Sequence, residues 1–418
     1  MNHPFASLSR SRRVAVPVMA AAAALVLSSC AAEPAQPPAS FKSFKDVFTE
    51  ADGQTVDLWM YGGDEQGNAY VDDVLAPAAA KEGVTVRRVP ITDTADAVNR
   101  VLSEVQAGRT DGSVDLVWVN GANFSTGRQA EAWRCGWTDV LPNIELTDQD
   151  DPLLLNDFGT PVDGCEAPWQ KAQFTFFYNS ATISDPPTTL EGILQWAKDN
   201  PGRFTYPAPP DFTGSVFLRE VMLSTAGGAD EVPLDYSEEA FDKHAPAAFD
   251  ALRGLAPALW RGGATYPRDE QALNTLFADG EVDIAMTYGP ATLTDLVASG
   301  ALPDTTKVLT LEEGTVGNVS FLAIPANASD PAGAMVVANL ALSPEQQAAK
   351  ADPATWGQFP VLDATRLDAD QRTLFDELPT SPVVPAYDEL SRNAHAELAA
   401  DWVPVLDEAW RQKVAATR

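Results

Sequence analysis

Short apolar runs alternate with amphipathic stretches along most of this chain, and this alternation constrains the fold more than any other feature. Residues 56–61, 84–89 and 114–119 are rich in β-branched, aromatic and other apolar residues over lengths typical of strands. Between the last two runs, apolar residues recur at helical spacing at Ala97, Val98, Val101, Leu102 and Val105. Strands that alternate with helices predict an α/β protein.

The same alternation continues to about residue 324, and the last hundred residues are predicted to be mostly helical. A helix is predicted over residues 68–81, although Pro77 is difficult to accommodate within it. Residues 135–165 are rich in Asp, Pro and Asn, which indicates a surface loop. Further strands are predicted at 174–178, 204–206, 282–287 and 319–324, and further helices at 190–200, 215–226, 238–255 and 268–278.

The N-terminus has the pattern of an export signal. Arginines 10, 12 and 13 precede an apolar run at 14–27, which is shorter than the roughly 20 residues needed to cross a bilayer. The run ends in Leu-Ser-Ser-Cys at 27–30, which matches the bacterial lipobox. We therefore predict a signal peptide at 1–29 and a lipid on Cys30 that anchors the protein to the membrane. An ordinary signal peptide is the alternative, and the Arg12-Arg13 pair leaves Sec and twin-arginine export both open.

Residues 30–44 are predicted to be a flexible tether, because prolines stand among small residues without helical periodicity. The chain from 45 to 418 is longer than one core usually serves, so we expect two lobes. An apolar content of 45% and a charged content of 21% are typical of a globular protein.

The net charge of −31 excludes nucleic acid as a partner, because phosphate binding requires Lys and Arg. Most of the acidic residues are interpreted as a solvated surface that keeps the protein soluble. The charge also agrees with a cationic ligand.

Cys135 and Cys165 remain as an even pair in an exported protein, which favours a disulfide between them. His244 and His395 are far apart and lack the spacing of metal ligands. We therefore expect neither a metal site nor a cofactor.

The order of elements and several motifs resemble the type II periplasmic solute-binding proteins of ABC importers. Within them the chain is similar to the YnjB-type group, in the branch that includes thiamine-, iron- and polyamine-binding proteins. Tyr-Asn followed by Pro-Pro-Thr-Thr-Leu is fairly specific to this superfamily. The motifs that carry the resemblance lie at 59–65, 115–124, 177–180 with 186–190, 206–215 and 317–325.

The resemblance implies two α/β lobes joined by a hinge, with a ligand cleft between them. Lobe 1 would comprise 45–175 and 325–418, and lobe 2 would comprise 178–318. The main hinge crossings would lie at 174–179 and 318–325.

The implied function is that of a monomeric lipoprotein on the outer face of the cytoplasmic membrane. It would deliver a small polar solute to the permease subunits of an ABC importer. A sugar-binding protein, or a sensory or structural lipoprotein, is the alternative. The sequence lacks the Gly-x-Ser-x-Gly, His-Glu-x-x-His and phosphate-loop motifs, so we expect no catalysis. A hydrolase that uses two carboxylates is not excluded by the sequence.

Ligands of open α/β sheets bind at the carboxyl ends of the strands, which selects the loops after the predicted strands. After the first strand, Tyr61 offers an aromatic face, and Asp64 or Glu65 offers a charge for a cation. After the third strand, Asn120 and Asn123 offer donors and acceptors for a polar solute. The alternative at both positions is an ordinary turn and helix start.

Residues 206–215 are the candidate site in lobe 2. Tyr206 and Phe212 would form aromatic walls, and a helix start at Thr213, Gly214 and Ser215 would bind an anionic group or a carbonyl. The alternative is a capped helix without a ligand. Tyr288, which follows a predicted strand, would complete the pocket. The candidates together favour a cationic or zwitterionic solute, such as a thiamine-like or polyamine compound.

Overall fold

A computed structural model describes residues 41–415. The predicted signal peptide, Cys30 and most of the predicted tether lie outside the described residues. The first helix, α1, begins at Phe44, after the side chain of Ser43 accepts a hydrogen bond from the Asp46 N–H. Between residues 41 and 415, no helix has the length and apolar character needed to cross a membrane.

The structure confirms the α/β class. The strands are β1 Thr55–Tyr61, β2 Thr85–Ile91, β3 Leu116–Val119, β4 Asn156–Asp157, β5 Thr160–Pro161, β6 Glu166–Gln173, β7 Thr175–Asn179, β8 Ile284–Thr287, β9 Thr306–Leu309, β10 Val316–Ala323 and β11 His395–Ala396. The α-helices are α1 Phe44–Ala51, α2 Glu65–Tyr70, α3 Ala76–Lys81, α4 Thr94–Gln106, α5 Gly121–Gln129, α6 Pro152–Leu155, α7 Leu190–Asp199, α8 Phe212–Ala226, α9 Glu238–Leu255, α10 Glu270–Ala278, α11 Leu293–Ala298, α12 Pro331–Ala341, α13 Pro344–Ala351, α14 Ala369–Asp376, α15 Tyr387–Leu390 and α16 Trp402–Trp410.

The predicted helix at 68–81 is present but divided. It begins earlier, at Glu65, and a turn of π-helix at Val71–Leu75 separates α2 from α3. Pro77 stands in the first turn of α3. Because proline lacks an N–H and is tolerated in a first turn, the division accommodates a residue that an unbroken helix would not.

The larger sheet has the strand order β11-β10-β3-β1-β2, with β6 also paired to β10. Strand β1 is parallel to β2 and β3, whereas β10 is antiparallel to β3 and β6. Alternate residues of β1, including Val56, Leu58 and Met60, are fully buried. The carboxyl ends of β1 and β3 therefore lie at the same edge of this sheet, where a ligand site is expected.

The smaller sheet has the order β8-β7-β9, and both pairings are antiparallel. Helices α7 to α10 pack around it in a core of their own. The predicted strand at 204–206 is reduced to a single bridge, in which Phe204 pairs with Ile284.

Two chain segments run side by side between the sheets. Phe174 N–H donates to the Val316 carbonyl at 2.9 Å, and Gln173 Nε2 donates to the Thr315 carbonyl at 2.7 Å. The chain crosses between the two sheets at about residues 173–175 and again at about residues 309–316. This position differs from the expected crossings, because most of 174–179 forms β7 in the smaller sheet and 318–323 lies within β10 in the larger sheet.

The C-terminal end of the chain departs from the expected lobe boundaries. Strand β11 joins the larger sheet beside β10. Helix α16 then packs in the core around the smaller sheet, where Trp402, Leu406 and Trp410 are buried. Residues 402–415 therefore belong by packing with 178–318, although 325–418 was expected in lobe 1.

Cys135 and Cys165 form a disulfide, as predicted. Cys165 is fully buried, and Trp137 Nε1 donates to its carbonyl at 3.2 Å. The segment that the disulfide closes is less irregular than expected, because it contains 3₁₀ turns at Thr138–Val140 and Pro142–Leu146, helix α6 and the β4–β5 pair.

Candidate ligand-binding cleft

A cavity of about 600 Å³ lies between the carboxyl edge of the larger sheet and the ends of α8, α10 and β8. We call this cavity the cleft. The residues that line it are Tyr61, Gly63, Asp64, Glu65, Gln66, Trp118, Asn120, Gln170, Ala172, Phe212, Glu270, Gln271, Tyr288, Gly289, Thr292, Asp295, Leu296, Asn318, Ser320 and Gln358. Six of the eleven predicted ligand-binding residues are among them: Tyr61, Asp64, Glu65, Asn120, Phe212 and Tyr288.

The turn between β1 and α2 forms the first wall. The Gly62 N–H donates to the Ile91 carbonyl at 2.8 Å, so it continues the sheet and is not available to a ligand. A Cβ on Gly63 would lie 2.3 Å from the Tyr61 hydroxyl, so only glycine lets the Tyr61 ring lie over the turn. The Tyr61 ring is 46% exposed and faces the cleft as a free aromatic surface.

Asp64 caps helix α2 and also lines the cleft. Its Oδ1 accepts from the Gly67 N–H at 3.0 Å, and its Oδ2 accepts from Trp356 Nε1 at 2.8 Å. Burial raises the pKa of Asp64, while the hydrogen bonds from Gly67 and Trp356 oppose that rise. A Cβ on Gly67 would lie 2.7 Å from the Trp356 ring, so the small residue allows the indole to approach. Both interpretations of Asp64, as a helix cap and as a cleft carboxyl, therefore apply to it.

The floor of the cleft consists of neutral polar side chains from adjacent strands. In the pairing of β6 with β10, Gln170 is opposite Ser320 and Ala172 is opposite Asn318, and all four line the cleft. Gln170 and Asn318 are only 4% and 5% exposed. From the end of β3, Asn120 Nδ2 donates to Ser320 Oγ at 3.5 Å.

The wall opposite α2 is centred on Glu270, the first residue of α10. Its two carboxylate oxygens accept hydrogen bonds from Thr213 Oγ1 at 2.6 Å and Thr287 Oγ1 at 2.7 Å. Burial raises the pKa of Glu270, and the two hydroxyl contacts oppose the rise. Phe212, 45% exposed, stacks edge-on against Tyr288 with ring centroids 5.1 Å apart. Thr213 therefore positions a carboxyl of the cleft and does not line the cleft itself.

The predicted anion site at the start of α8 is not supported by the structure. The Gly214 N–H donates to its own N-cap, Asp211 Oδ1, at 2.9 Å, and Ser215 Oγ donates to Asp407 Oδ1 at 2.6 Å. Thr213 and Ser215 are each 3% exposed. A Cβ on Gly214 would lie 2.2 Å from the Pro207 carbonyl oxygen, which indicates that this glycine serves close packing. The alternative interpretation, a capped helix, is the one that the structure favours.

Tyr206 was predicted to be an aromatic wall but lies in the core. It is fully buried, and its hydroxyl accepts a hydrogen bond from Trp410 Nε1 at 3.0 Å. Helix α16 provides this indole, and no local pattern in the sequence indicates that the end of the chain returns to this place.

Asn123 lies on α5 and does not line the cleft. The start of α5 is also occupied by the protein itself, because both carboxylate oxygens of Asp157 accept from the Gly121 N–H, at 2.8 and 2.7 Å. Asp157 is 1% exposed, and burial raises its pKa to about 8.

Four carboxyl groups line the cleft: Asp64, Glu65, Glu270 and Asp295. None of the described lining residues is a lysine, arginine or histidine. Aromatic side chains stand beside these acids, namely Tyr61, Trp118, Phe212 and Tyr288. A partly desolvated site of this composition attracts positive charge. Among residues 41–415, no three His, Cys, Asp or Glu side chains are arranged to hold a metal ion.

Sequence reasoning missed several cleft residues. Trp118 and Ser320 lie inside predicted strands, Asn318 immediately precedes one, and Glu270 lies in the first turn of a predicted helix. The rule that ligands bind after strand ends does not select residues within a strand. The signal that could have indicated them is the presence of Asn318 and Ser320 on one face of an otherwise apolar strand, at a spacing of two.

Comparison with known proteins agrees with this architecture. Residues 73–374 match the family model described as bacterial extracellular solute-binding protein. Protein YnjB of Escherichia coli (strain K12) is 37% identical over 368 residues, which cover 88% of this chain and 92% of YnjB.

Solved structures share the fold at low identity. The spermidine/putrescine ABC transporter substrate-binding protein PotD from Streptococcus pneumoniae matches with a TM-score of 0.62 and 12% identity, over 86% of this chain and 98% of that one. A periplasmic thiamin binding protein matches with a TM-score of 0.55 and 17% identity, over 87% and 96% of the two chains.

The fold is similar to that of solved substrate-binding proteins of ABC transporters. This chain belongs to the bacterial extracellular solute-binding protein family and is a homologue of YnjB.

Proposed function

We propose that this protein is the solute receptor of an ABC importer and that its cleft binds a small organic cation. The observation that carries the proposal is the charge of the cleft: four carboxyl groups and, among the described lining residues, no basic side chain. The protein would capture its solute outside the cytoplasmic membrane and deliver it to the permease subunits.

The acids belong to two different walls of the cleft. Asp64 and Glu65 belong to the α2 wall, and Glu270 belongs to the wall formed by α8, α10 and β8. A cation between them would interact with both walls, and attraction between opposite charges strengthens as water is excluded. Tyr61 and Phe212, each nearly half exposed, offer ring faces that also favour a cation.

A zwitterion or phosphorylated cation is less well supported than a simple cation. The α8 start, which was expected to bind the anionic group, uses Gly214 N–H and Ser215 Oγ within the protein. Two solved relatives are named for spermidine/putrescine and for thiamin, and all of these molecules carry positive charge at neutral pH.

The division into two lobes is part of the same proposal. The lobes would be built on the two sheets, and the segments at 173–175 and 309–316 would form the hinge. Closure of the lobes would bring Glu270 toward Asp64 and Glu65 around the solute. The packing of Trp402 and Trp410 supports the assignment of α16 to the lobe of the smaller sheet.

A thermal-shift screen of the full-length exported protein, purified in detergent, tests the ligand class. The panel comprises thiamine, spermidine, amino acids, sugars and phosphate esters. A ligand at one hundred times its dissociation constant stabilises the folded state by about 2.7 kcal/mol. We expect an organic cation to raise the melting temperature of the wild type. The same cation should raise the melting temperature of Glu270→Gln by less. A shift with sugars or phosphate esters alone would contradict the proposal and favour the sugar-binding alternative.

Lipid anchoring is proposed from the Leu-Ser-Ser-Cys sequence at 27–30. Mass spectrometry of the N-terminal peptide from membrane fractions should show a diacylglycerol on Cys30. In Cys30→Ala the protein should leave the membrane fraction. An unmodified N-terminus on a protein released from the cell would refute the anchor.

A further inference from the structure

Two buried amide side chains on the floor of the cleft have polar atoms without a hydrogen-bond partner in the described chain. Asn318 is 5% exposed, and neither its Oδ1 nor its Nδ2 has a hydrogen-bond partner among residues 41–415. Gln170 is 4% exposed, and its Oε1 likewise has no partner in the described chain. Buried polar groups are almost always paired, because an unpaired one has lost its hydration without compensation.

The two other polar side chains of the floor, in contrast, have each other as partners. Asn120 and Ser320 contact each other on the same floor, at 3.5 Å. Asn318 and Gln170 lie diagonally across the β6–β10 pairing, both against the cleft. An apolar residue at either position would avoid the cost of an unpaired amide, so both amides have the character of a recognition surface.

The donor on Asn318 determines what this surface recognises. An ammonium group offers N–H donors and no acceptor, so it pairs with the two carbonyl oxygens but leaves Nδ2 unpaired. Asn318 therefore requires a ligand group that both donates and accepts, such as a carboxamide. This holds whichever terminal atom of the side chain is the nitrogen, because both atoms lack a partner.

We infer that Gln170 and Asn318 are specificity-determining residues that bind a neutral amide-like group of the solute. This inference rests on the proposed cation-binding function. It names the solute class more closely, as an organic cation that also carries a carboxamide, urea or similar group. The cationic end would lie among the carboxylates of the walls, and the neutral end would lie on the floor.

Asn318 also borders a smaller cavity of about 190 Å³, together with Asp157 and Glu397. Both of those carboxylates are engaged, by the Gly121 N–H and by Arg219. Gln170 lines the cleft and is not among the residues that line the smaller cavity. Gln170 therefore tests the recognition of a ligand in the cleft independently of Asn318.

The test compares 5-aminopentanamide with 5-methylhexan-1-amine by calorimetric titration of the full-length protein in detergent. The two compounds have the same shape and ammonium group, but the second replaces the carboxamide with an isopropyl group. We expect the amide to bind at least about tenfold more tightly, because the isostere leaves the floor amides unpaired. In Gln170→Leu and in Asn318→Leu that preference should fall to about threefold or less.

Asn123→Leu is the matched control. Asn123 is an asparagine that follows the carboxyl end of β3, and it does not line the cleft. It should keep the full preference. The melting temperature of each unliganded variant gives a second readout. A recognition role predicts no loss of stability in Asn318→Leu, whereas an internal structural role predicts a clear loss.

Equal binding of the two compounds would overturn the inference while the cation-binding function stands. Binding of neither compound, together with no response to any cation of the thermal-shift panel, would refute the proposed function and the inference with it. Binding of neither compound alongside a strong response to a plain polyamine would overturn the inference alone.

Discussion

Helices α2 and α8 begin in the same way, each with an aspartate N-cap whose carboxylate accepts from a glycine N–H in the first turn. Around α2 the cap and the preceding turn face the cleft, and Asp64 lines it. In the first turn of α8, Phe212 lines the cleft, but Thr213 and Ser215 are buried, and Ser215 donates a hydrogen bond to Asp407 of the C-terminal helix. The local motif is therefore shared, while the role depends on what packs over it. Residues 213–215 of α8 should therefore govern stability, and the α2 start should govern affinity.

The largest effect on stability is expected from the ion pair that joins α8 to the C-terminal part of the chain. Arg219 on α8 makes two hydrogen bonds of 2.9 Å to Glu397, and both side chains are 2% exposed. Glu397→Ala would leave a buried guanidinium without its partner, so we expect a loss of about 3–5 kcal/mol in the free energy of unfolding. Urea denaturation measures it.

The double variant Arg219→Met with Glu397→Leu is the control, because it removes both charges and keeps the volume. Its stability should return close to that of the wild type. If Glu397→Ala had the same midpoint of urea unfolding as the wild type, the Arg219–Glu397 ion pair would not stabilise the packing of α8.

The start of α5 gives a second test, through pH. The pKa of Asp157 is about 8 in the folded protein, because burial disfavours its charged form, whereas an unfolded aspartate titrates near 3.9. Between these values the folded state holds a proton that the unfolded state has lost. Stability should therefore fall as pH rises through this window, by up to about 1.4 kcal/mol per pH unit.

Asp157→Asn should remove this contribution while keeping a carbonyl acceptor for the Gly121 N–H. Unfolding free energies at pH 5, 6 and 7 would show a shallower decline than in the wild type. The pKa of Glu166 is also raised by burial, so some decline with the same sign should persist. An unchanged slope would mean that Asp157 is charged in the folded state.

The sequence predicted features that depend on local patterns. Strand β1, the disulfide and the Tyr61–Glu65 wall follow from alternation, residue pairing and a strand end. Features that depend on distant residues could not be predicted. Tyr206 and Ser215 are hydrogen-bonded to Trp410 and Asp407, which lie about two hundred positions later in the chain. Glu270 became a cleft residue because Thr213 and Thr287 hold it there.

A smaller stability effect should follow from Ser215→Ala. The Asp407 carboxylate would lose its 2.6 Å hydrogen bond in a buried setting, which should cost about 1–3 kcal/mol. Burial raises the pKa of Asp407 and the Ser215 hydroxyl opposes that rise, so the loss should be larger where Asp407 is charged than at a pH low enough to protonate it. Affinity for the best cation of the thermal-shift panel should not change. A change in affinity without a change in stability would restore Ser215 as a ligand contact.

The smallest effect, and the reverse of the previous one, is expected at the α2 wall. Tyr61 is 46% exposed and Glu65 is exposed, so Tyr61→Ala and Glu65→Gln should change the free energy of unfolding by no more than about 0.5 kcal/mol. Each should weaken binding of the same cation by about threefold to tenfold, through loss of a cation–π face or of a charge.

Calorimetric titration at two salt concentrations separates the two contributions. The Glu65 effect should shrink as salt rises, and the Tyr61 effect should not. If neither variant altered affinity, the α2 start would resemble the α8 start in role as well as in capping, and the solute would be bound from the floor and the Glu270 wall alone.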